Sequence, residues 1–462
     1  MIGRHLLTWA ALAALILGAG CSDRDLTGLP IARAPVDSLV FTDGENFGAD
    51  VYFQAFAGTD AYALSPDSLY AVGDRTSLKV VVPPQDSALG AYAGGVLTAT
   101  AVRDLVDFNA LTFYAKASVS CTLNVAGFGN DNTGTSLHEA SRAGVPLTTD
   151  WTLVVVPVPS PAKLIAERGL FTFAEGWESL RPQGHEIWFD EIRFAARDDI
   201  ANPRPFMPSS GKQYFIGSTV RLQGTRTTFD VNGADVVVDH LPGYFDFLST
   251  NPAVAAVTRR GIEIVGVGDA TVTAKLDTVA VQGSVTLSGY RPPVAAAQVP
   301  AIPAERVISL YSDAYADVPV DSWNTHWRWS TAEDEEYAVA GDNTRMYANL
   351  NFVGIEFMTQ KIDASAMTHF HMDVYAPAGT NFKIKFVDFP PSLSYGVQTQ
   401  DLVLDERTAP AFGAGVWSSL EIPLEAFTFQ PPSPAPWENI GQLVLSTSDA
   451  VLVLVDNVYW HN

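Results

Sequence analysis

The chain has 462 residues, which is enough for two to four ordinary domains, and 47% of them are hydrophobic, so it can bury sizeable cores. Its 51 acidic and 28 basic residues give a net charge of −23, which argues against binding nucleic acid or anionic lipid through a general basic field. The 35 Gly, the 29 Pro and the many Val, Thr and Tyr runs favour an all-β fold.

The N-terminal segment 1–20, MIGRHLLTWAALAALILGAG, combines a short basic start, an apolar run and small residues directly before Cys21. This is the pattern of a targeting segment. The stretch LGAGC resembles the lipobox of bacterial lipoprotein signals, although Gly18 stands where Leu is most common. The resemblance implies a lipoprotein signal peptide, lipidation at Cys21 and a polar tether over 21–36. A simple signal peptide or a short membrane anchor is the alternative.

The acidic SDRD stretch after the lipobox resembles the surface-export signal of some bacterial lipoproteins. We therefore expect a lipid-anchored protein at the outer membrane or cell surface, with the periplasmic face as the alternative. Contact with the membrane would be made through the lipid anchor only. The one other cysteine, Cys121, is expected in a core, and an intrachain disulfide is excluded in the lipidated chain.

Two outer pieces, 37–197 and 305–462, show the marks of an internal repeat. Each has a Trp, a Pro six residues later and, 33 residues after that Pro, an Asp within a strand-like run. These residues are Trp151, Pro157 and Asp190 in the first piece and Trp417, Pro423 and Asp456 in the last. Short-period apolar runs separated by turn residues predict that each piece is a two-sheet β-sandwich of jelly-roll type.

The piece 205–290 between them has a different pattern, and Pro-rich segments bound it on both sides, including the linker 291–304. It contains FLSTNPAVAAVTRRGIEIVGVGDATVTAKL, which resembles the bacterial Ig-like group 2 domain. The matching positions are Asn251, Pro252, Val254, Ala255, Val257, Gly261, Gly266, Gly268 and Ala270. The resemblance implies a small Ig-like sandwich that acts as a spacer and carries no chemistry.

The closing runs EIWFDEIRF (186–194) and LVLVDNVYW (452–460) each place an Asp on an apolar strand face. A carboxylate in such a place needs compensation, because burial of an unpaired charge is costly. A bound cation would provide it, and Ca²⁺ prefers oxygen ligands of this kind. Hydrogen bonds from backbone amides are the alternative.

The last piece resembles the β-jelly-roll carbohydrate-binding modules attached to secreted laminarinase-type glycoside hydrolases. The segments that carry this resemblance include YANLNFVGIEF, FKIKFVDF, WSSLEIPLEAF and LVLVDNVYWHN. The first piece is similar but looser. By this resemblance a structural Ca²⁺ would be bound by Asp456 with Asp313, and a second one by Asp190 with Asp43 or Glu45.

Exposed Trp side chains are the first candidates for sugar contacts, because their flat rings pack against the C–H faces of sugars. The candidates are Trp323, Trp327 and Trp329 in DSWNTHWRW, Trp437 in APWENIG and Trp177 in FAEGWES. The alternative for these residues is closure of the sandwich cores.

The run THFHMDVY places His369, His371 and Asp373 on one strand face. Three interpretations stay open: a solvated sheet face, a glycan-contacting face together with Lys383 and Lys385, or a metal site. Zinc would need further ligands.

The Glu-x-Asp-x-x-Glu motif of the family 16 glycoside hydrolases does not occur in the sequence. Gly-x-Ser-x-Gly, P-loop and His-Glu-x-x-His motifs are absent as well, and so is a Gly-x-Gly-x-x-Gly followed by a helix. We therefore expect no enzyme but a lipid-anchored envelope protein that binds polysaccharide and works beside glycoside hydrolases or transporters. An adhesin or structural envelope protein without a glycan ligand is the first alternative, and an unrecognised glycoside hydrolase is the second.

Overall fold

The computed structural model describes residues 33–43, 50–73, 75–88, 90, 92–177, 183–258, 261–430 and 437–462. Cys21 and Glu45 lie outside the described residues. The described chain is all-β, with no α-helix and with four short 3-10 turns at Pro161–Lys163, Pro242–Tyr244, Ala304–Arg306 and Leu424–Ala426.

The first unit contains eleven described strands. They are β1 (Leu39–Phe41), β2 (Val51–Ala55), β3 (Leu64–Asp67), β4 (Ser77–Val82), β5 (Tyr92–Arg103), β6 (Ala110–Ala117), β7 (Cys121–Phe128), β8 (Ala140–Leu147), β9 (Thr152–Pro157), β10 (Glu167–Gly176) and β11 (His185–Ala195).

The middle of the chain contains ten described strands. They are β12 (Ile200–Phe206), β13 (Ser210–Phe215), β14 (Arg226–Val231), β15 (Ala234–His240), β16 (Asp246–Ser249), β17 (Ala255–Thr258), β18 (Gly261–Ile264), β19 (Gly268–Leu276), β20 (Val279–Ala280) and β21 (Val285–Tyr290).

The C-terminal unit contains another eleven. They are β22 (Val307–Tyr311), β23 (Glu333–Val339), β24 (Asp342–Ala348), β25 (Phe352–Glu356), β26 (His369–Tyr375), β27 (Asn381–Asp388), β28 (Val397–Gln398), β29 (Leu402–Asp405), β30 (Trp417–Pro423), β31 (Ile440–Ser446) and β32 (Leu452–His461).

The two outer units share one sheet topology. In the first unit, sheet 1 has the order β3-β4-β11-β6-β9, with β1 paired to β11. In the C-terminal unit, sheet 3 has the order β23-β24-β32-β26-β30, with β22 paired to β32. The facing sheets, sheet 2 and sheet 4, contain the matching series β5-β10-β7-β8 and β25-β31-β27-β28. The predicted internal repeat and the two sandwiches of jelly-roll type are confirmed.

The equivalent strands β11 and β32 bend at the same place. Glu191 and Asn457, each directly after the strand's Asp, have left-handed φ values of +49° and +50°. The register of pairing shifts there in both strands, as it does at a β-bulge. Both Asp side chains are therefore held at a bulge on the outer face of their sheet.

The middle of the chain divides between two structures. Strands β13, β21, β19 and β16 form a separate small sheet, and β17 pairs with β18. Strands β12, β14 and β15 instead extend sheet 2, because β15 pairs with β8 through Asp239 and His240. Phe229 and Val238 pack in the core of the first unit. The boundary of the first sheet thus lies inside the span 205–290 and not before it.

The middle sandwich also packs against sheet 3. The ring of Phe215 lies 5.5 Å from that of Tyr337 and 6.2 Å from that of Tyr375. One apolar cluster joins residues of the small sheet to Met346 and Leu454 on the outer face of sheet 3. That end of sheet 3 is covered.

The core of each outer unit lies between its two sheets. Cys121 is buried in the first core, as expected, and the Trp460 side chain is fully buried in the C-terminal one. Within the described residues, no helix has the length and apolar character needed to cross a membrane.

Candidate functional site

An open groove lies on the outer face of sheet 4. Strand β27 alternates, so that Phe382, Ile384 and Phe386 point into the core while Lys385 and Val387 point outward. Pairing of β27 with β31 and of β31 with β25 places Val444 beside both Lys385 and Gly354. The floor of the groove is thus a band of short apolar and long polar side chains. Its lining residues are Trp327, Lys385, Val387, Phe389, Gly396, Gln398, Gln442 and Val444, and its volume is about 410 Å³.

One wall of the groove is the indole of Trp327, which lies on the backbone of β25. Gly354 permits this placement, because a Cβ at that position would come within 2.6 Å of Trp327 Cη2. The loop that carries Trp327 is fixed to the same strand. The Thr325 amide donates to the Gly354 carbonyl at 3.1 Å, and Ser330 Oγ donates to the Phe352 carbonyl at 2.7 Å. These hydrogen bonds hold the loop, and with it the Trp327 ring, against the sheet.

The second wall is the ring of Phe389, which also lies against glycine residues. A Cβ at Gly396 would come within 2.8 Å of Phe389 Cε1, and one at Gly441 within 2.9 Å of Phe389 Cδ2. Lys361 Nζ lies 5.6 Å from the centre of this ring. Two aromatic rings thus lie on glycines of one sheet and bound a solvent-open band between them.

Polar groups in and beside the groove are already oriented by neighbours. Gln442 Nε2 donates to Glu356 Oε1 at 2.6 Å, and Lys385 Nζ lies 2.8 Å from Asp401 Oδ1. Each pair keeps donor and acceptor positions that face solvent, since these side chains are only partly buried. Hydroxyl groups of a sugar could exchange hydrogen bonds with them.

The other predicted tryptophans lie elsewhere. Trp323 packs edge-on against Tyr311 at 5.4 Å, and Trp437 packs among Phe residues of the core, 4.9 Å from Phe429. Trp329 is 74% exposed in the same loop as Trp327 but does not line the groove. Trp177 is half-buried after β10. Of the five candidates, Trp327 alone lines this groove.

The run around His371 is on the opposite sheet, and most of it is covered. His371 is 8% exposed and Asp373 is 3% exposed, whereas His369 is half-buried. The linker passes over this face, and Asn457 Nδ2 donates to Asp373 Oδ2 at 2.9 Å and to the Gln298 carbonyl at 3.3 Å. The linker therefore lies next to Asp373, whereas His371 is covered by the Tyr459 ring, which stacks on it at 4.6 Å. Both side chains are buried, so for these two residues the solvated-face interpretation is wrong.

A cluster of carboxylates surrounds the closing-strand Asp of the C-terminal unit. Asp456 is 2% exposed, and its Oδ1 accepts the Asn457 amide at 2.7 Å while its Oδ2 has no hydrogen-bond partner among the described residues. Burial, with the nearby charges of Asp342 and Asp373, raises the pKa of Asp456 to about 7. Asp342 lies within hydrogen-bonding reach of both Asp313 and Asp456, and burial and the Asp313 contact raise its pKa.

Asp342 therefore lies between the predicted pair of Asp313 and Asp456, and Asp373 is close to Asp456. The ligand atoms of Asp313, Asp342 and Asp456 do not all lie within 4.8 Å of one another. Sequence reasoning missed Asp342, although its position in the turn AGDNTR, at the start of β24, was visible. Carboxylate oxygens are donors that Ca²⁺ prefers, and these three side chains would have to move closer together to bind one ion.

The equivalent residue of the first unit has a different environment. Asp190 Oδ2 accepts the Val72 amide at 2.7 Å, and Oδ1 accepts the Glu191 amide at 2.7 Å. Asp43, its predicted partner, accepts a hydrogen bond from Thr76 Oγ1 at 2.9 Å. Backbone amides thus compensate the charge of Asp190, which is the alternative to a cation.

Comparison with protein families and with curated proteins found no match for this chain. Among solved structures, it is similar to a family 11 carbohydrate-binding module of the cellulosomal cellulase Lic26A-Cel5E of Clostridium thermocellum, at 10% identity over 32% of this chain and 96% of the module, with a TM-score of 0.24. A family 30 carbohydrate-binding module is similar at 16% identity over 35% and 98%, with a TM-score of 0.27.

A family 29 module from Piromyces equi is similar at 12% identity over 35% of this chain and 92% of the module, with a TM-score of 0.24. Likenesses at these identities and TM-scores carry no inference about the ligand of this chain, so its function has to be inferred from the geometry of the site.

Proposed function

We propose that this protein binds polysaccharide, without cleaving it, in the groove on the outer face of sheet 4. One observation carries the proposal: Trp327 and Phe389 lie directly against glycine residues and bound an open band lined by Lys385 and Gln442. Aromatic rings held in this way suit the C–H faces of sugar rings, and the polar side chains between them suit hydroxyl groups.

The shape and charge of the groove favour a chain over a small compact ligand. It is an open band on a strand face, and its lining residues come from strands across sheet 4 and from two loops. An extended ligand could cross the strands and continue past both walls. Lys385 is paired with Asp401 and Gln442 with Glu356, so the groove has no large excess of one charge. A neutral glycan is therefore favoured over a strongly anionic one.

Affinity electrophoresis tests the proposal, with gels that contain β-glucans, xylans or alginate. We expect at least one neutral polysaccharide to retard the full-length protein, and Phe389→Ala to reduce the retardation. Gly354→Val should reduce it as well, because the new side chain displaces the Trp327 ring from the strand. Absence of retardation by every polysaccharide, with the protein folded, would contradict the proposal. Release of reducing sugar from any of them would contradict the non-catalytic part.

We further infer that Asp456, Asp342 and Asp313 bind a structural Ca²⁺ in the C-terminal unit. The orphaned Oδ2 of Asp456 and the crowding of carboxylates around it support this proposal. When bound, the ion would supply positive charge that lets these groups be ionised together. This role is structural, because the cluster lies on sheet 3 and the groove lies on sheet 4.

Anchoring by lipid at Cys21 remains part of the proposal, supported by the lipobox-like LGAGC alone. It would hold the groove at a bacterial envelope, where captured glycan could pass to glycoside hydrolases or transporters. Mass spectrometry of the mature N-terminus tests the anchor. Acyl groups on Cys21, lost in Cys21→Ser, are the expected result, and an unmodified Cys21 in the membrane-extracted protein would contradict it.

A further inference from the structure

A second group of ligating side chains lies on sheet 3, at the end away from the middle sandwich. Three neighbouring strands, β30, β26 and β32, contribute Glu421, His369, His371 and His461, which we name the His–Glu cluster. In the register of the sheet, His369 lies opposite His461, and His371 lies opposite Glu421. Directly opposed residues of antiparallel strands point to the same face, so the four side chains meet above the sheet.

Three of these side chains are close enough to share one ion. A ligand atom from each of His369, Glu421 and His461 lies within 4.8 Å of the other two. The His369 and His461 rings are stacked, with centres 5.3 Å apart and planes at 11°. Ligand atoms around a tetrahedral Zn²⁺ are roughly 3.3 Å apart, given metal–nitrogen distances of about 2.0–2.1 Å. Small side-chain rotations would therefore bring the three atoms to coordination distance.

The surrounding groups already hold the ligands in useful orientations. Thr368 Oγ1 lies 2.8 Å from Nδ1 of His369, which leaves Nε2 of that ring for a metal. His371 Nδ1 lies 2.8 Å from Glu421 Oε2. With its proton on Nδ1, His371 donates a hydrogen bond to Glu421 and holds the orientation of that carboxylate. Metal-binding histidines and carboxylates in proteins depend on such outer hydrogen bonds.

The cluster has both a buried and an open side. The side chain of His461 is 11% exposed, whereas that of Glu421 is 45% exposed. Nε2 of His461 forms a hydrogen bond with Glu421 Oε1. A metal ion bound to both atoms would replace the proton that they share. The open side leaves room for water as a fourth ligand.

We propose that His369, Glu421 and His461 form a binding site for one Zn²⁺ ion, with His371 as a positioning residue that orients Glu421. Two imidazole nitrogens and one carboxylate oxygen are a donor set that suits zinc better than calcium. The ion would join β26, β30 and β32 at the end of sheet 3. The site is separate from the groove and does not depend on the glycan proposal. It adjoins the carboxylate cluster, because His371 Nε2 lies 3.5 Å from Asp373 Oδ1.

Isothermal titration of metal-stripped, full-length protein with ZnCl₂ tests this proposal, with excess CaCl₂ present to occupy carboxylate sites. We expect one zinc ion per chain at this site, at least a 100-fold loss of affinity in the His369→Ala, His461→Ala double variant, and a loss of about tenfold in His371→Gln. The control is His326→Ala, which removes an exposed histidine in the Trp327 loop and should bind zinc as the wild type does.

Co²⁺ gives a second readout, because its visible absorption reports ligand number and type. We expect the absorption bands of a four- or five-coordinate site with nitrogen ligands in the wild type, and their loss in Glu421→Gln. Glu421→Gln changes a partly exposed side chain and serves as the test if the double variant does not fold. Absence of saturable zinc binding would overturn the proposal, and so would unchanged binding in folded variants of the cluster.

Discussion

Asp190 and Asp456 occupy the same place in two copies of one fold, and their surroundings differ. Both precede a left-handed residue at a bulge, and both accept the amide of that residue at 2.7 Å. The second oxygen of Asp190 accepts the Val72 amide, whereas that of Asp456 faces other carboxylates. The position therefore fixes a buried carboxylate in both units. In the first unit a loop amide contacts its second oxygen, and in the C-terminal unit we propose that a cation compensates its charge.

The largest expected effect is a difference in the free energy of unfolding between variants at Asp190 and Asp456. Asp190→Ala removes the acceptor of two backbone amides, so the free energy of unfolding should fall by about 2–5 kcal/mol. Asp456→Asn keeps an acceptor oxygen and removes one charge from a crowded cluster. In EDTA it should change stability by less than about 1 kcal/mol, or increase it. Urea unfolding of both variants measures the difference, and equal losses would contradict the comparison.

The pH dependence of stability should also distinguish the two units. His240, on the strand β15 that extends the first unit's sheet, is buried, and burial lowers its pKa to about 4. The unfolded chain takes up this proton near pH 6.5 but the folded one does not, so stability is lost as pH falls from about 6.5 towards 4. The full loss is on the order of 3 kcal/mol.

Thermal unfolding between pH 7 and 4 measures this loss. His240→Gln should remove this loss, so that the variant loses less stability than the wild type between pH 7 and 4, because glutamine does not titrate there. A wild-type profile that the substitution leaves unchanged would show that His240 does not set the acid sensitivity.

Calcium should act on one unit only. Excess Ca²⁺ at 100 times its dissociation constant adds about 2.7 kcal/mol to the stability of the state that binds it. We expect EDTA to lower the melting temperature of the wild type and of Asp190→Asn, and to have no such effect on Asp456→Asn. A calcium effect that disappears in Asp190→Asn instead would reverse the assignment of the two sites.

The smallest expected effect concerns the repeated tryptophans. Trp417 packs against Tyr375 at 5.7 Å, and its Nε1 donates to the Ala295 carbonyl of the linker at 2.9 Å. Trp151, its equivalent, lies 5.9 Å from Lys116 Nζ on a face that no linker crosses among the described residues. Trp417→Ala should cost about 2 kcal/mol, and Trp151→Ala less than about 1 kcal/mol. Urea unfolding of both variants tests whether Trp417→Ala is the more destabilising substitution, and the reverse order would contradict the role given to the linker contact.

The repeat was predictable because its anchors are local: a Trp, a Pro and an Asp at equal spacing specify equivalent strands. The pairing of β15 with β8 was not predictable, because β14 and β15 have an ordinary alternating pattern and their partner lies about a hundred residues away. Burial of Asp373 was missed for a related reason. Alternation shows which side chains share a face, but it does not show that a linker crosses that face.

The sequence alone did not show which of the candidate tryptophans lines the groove. Trp323 and Trp327 stand four residues apart in one polar loop, and nothing local distinguishes a ring that packs on Tyr311 from one that lies in a groove. The deciding residue is Gly354 on a neighbouring strand, whose missing side chain leaves space for the Trp327 ring.

The most direct test of the central claim is isothermal titration of Trp327→Ala and Trp329→Ala with a polysaccharide that retards the wild-type protein. Both substitutions remove an indole from the same loop, but only Trp327 lines the groove, while Trp329 is 74% exposed. We expect a loss of affinity of about tenfold or more for Trp327→Ala, equal to at least about 1.4 kcal/mol, and near wild-type affinity for Trp329→Ala. Unchanged affinity in a folded Trp327→Ala variant would contradict it.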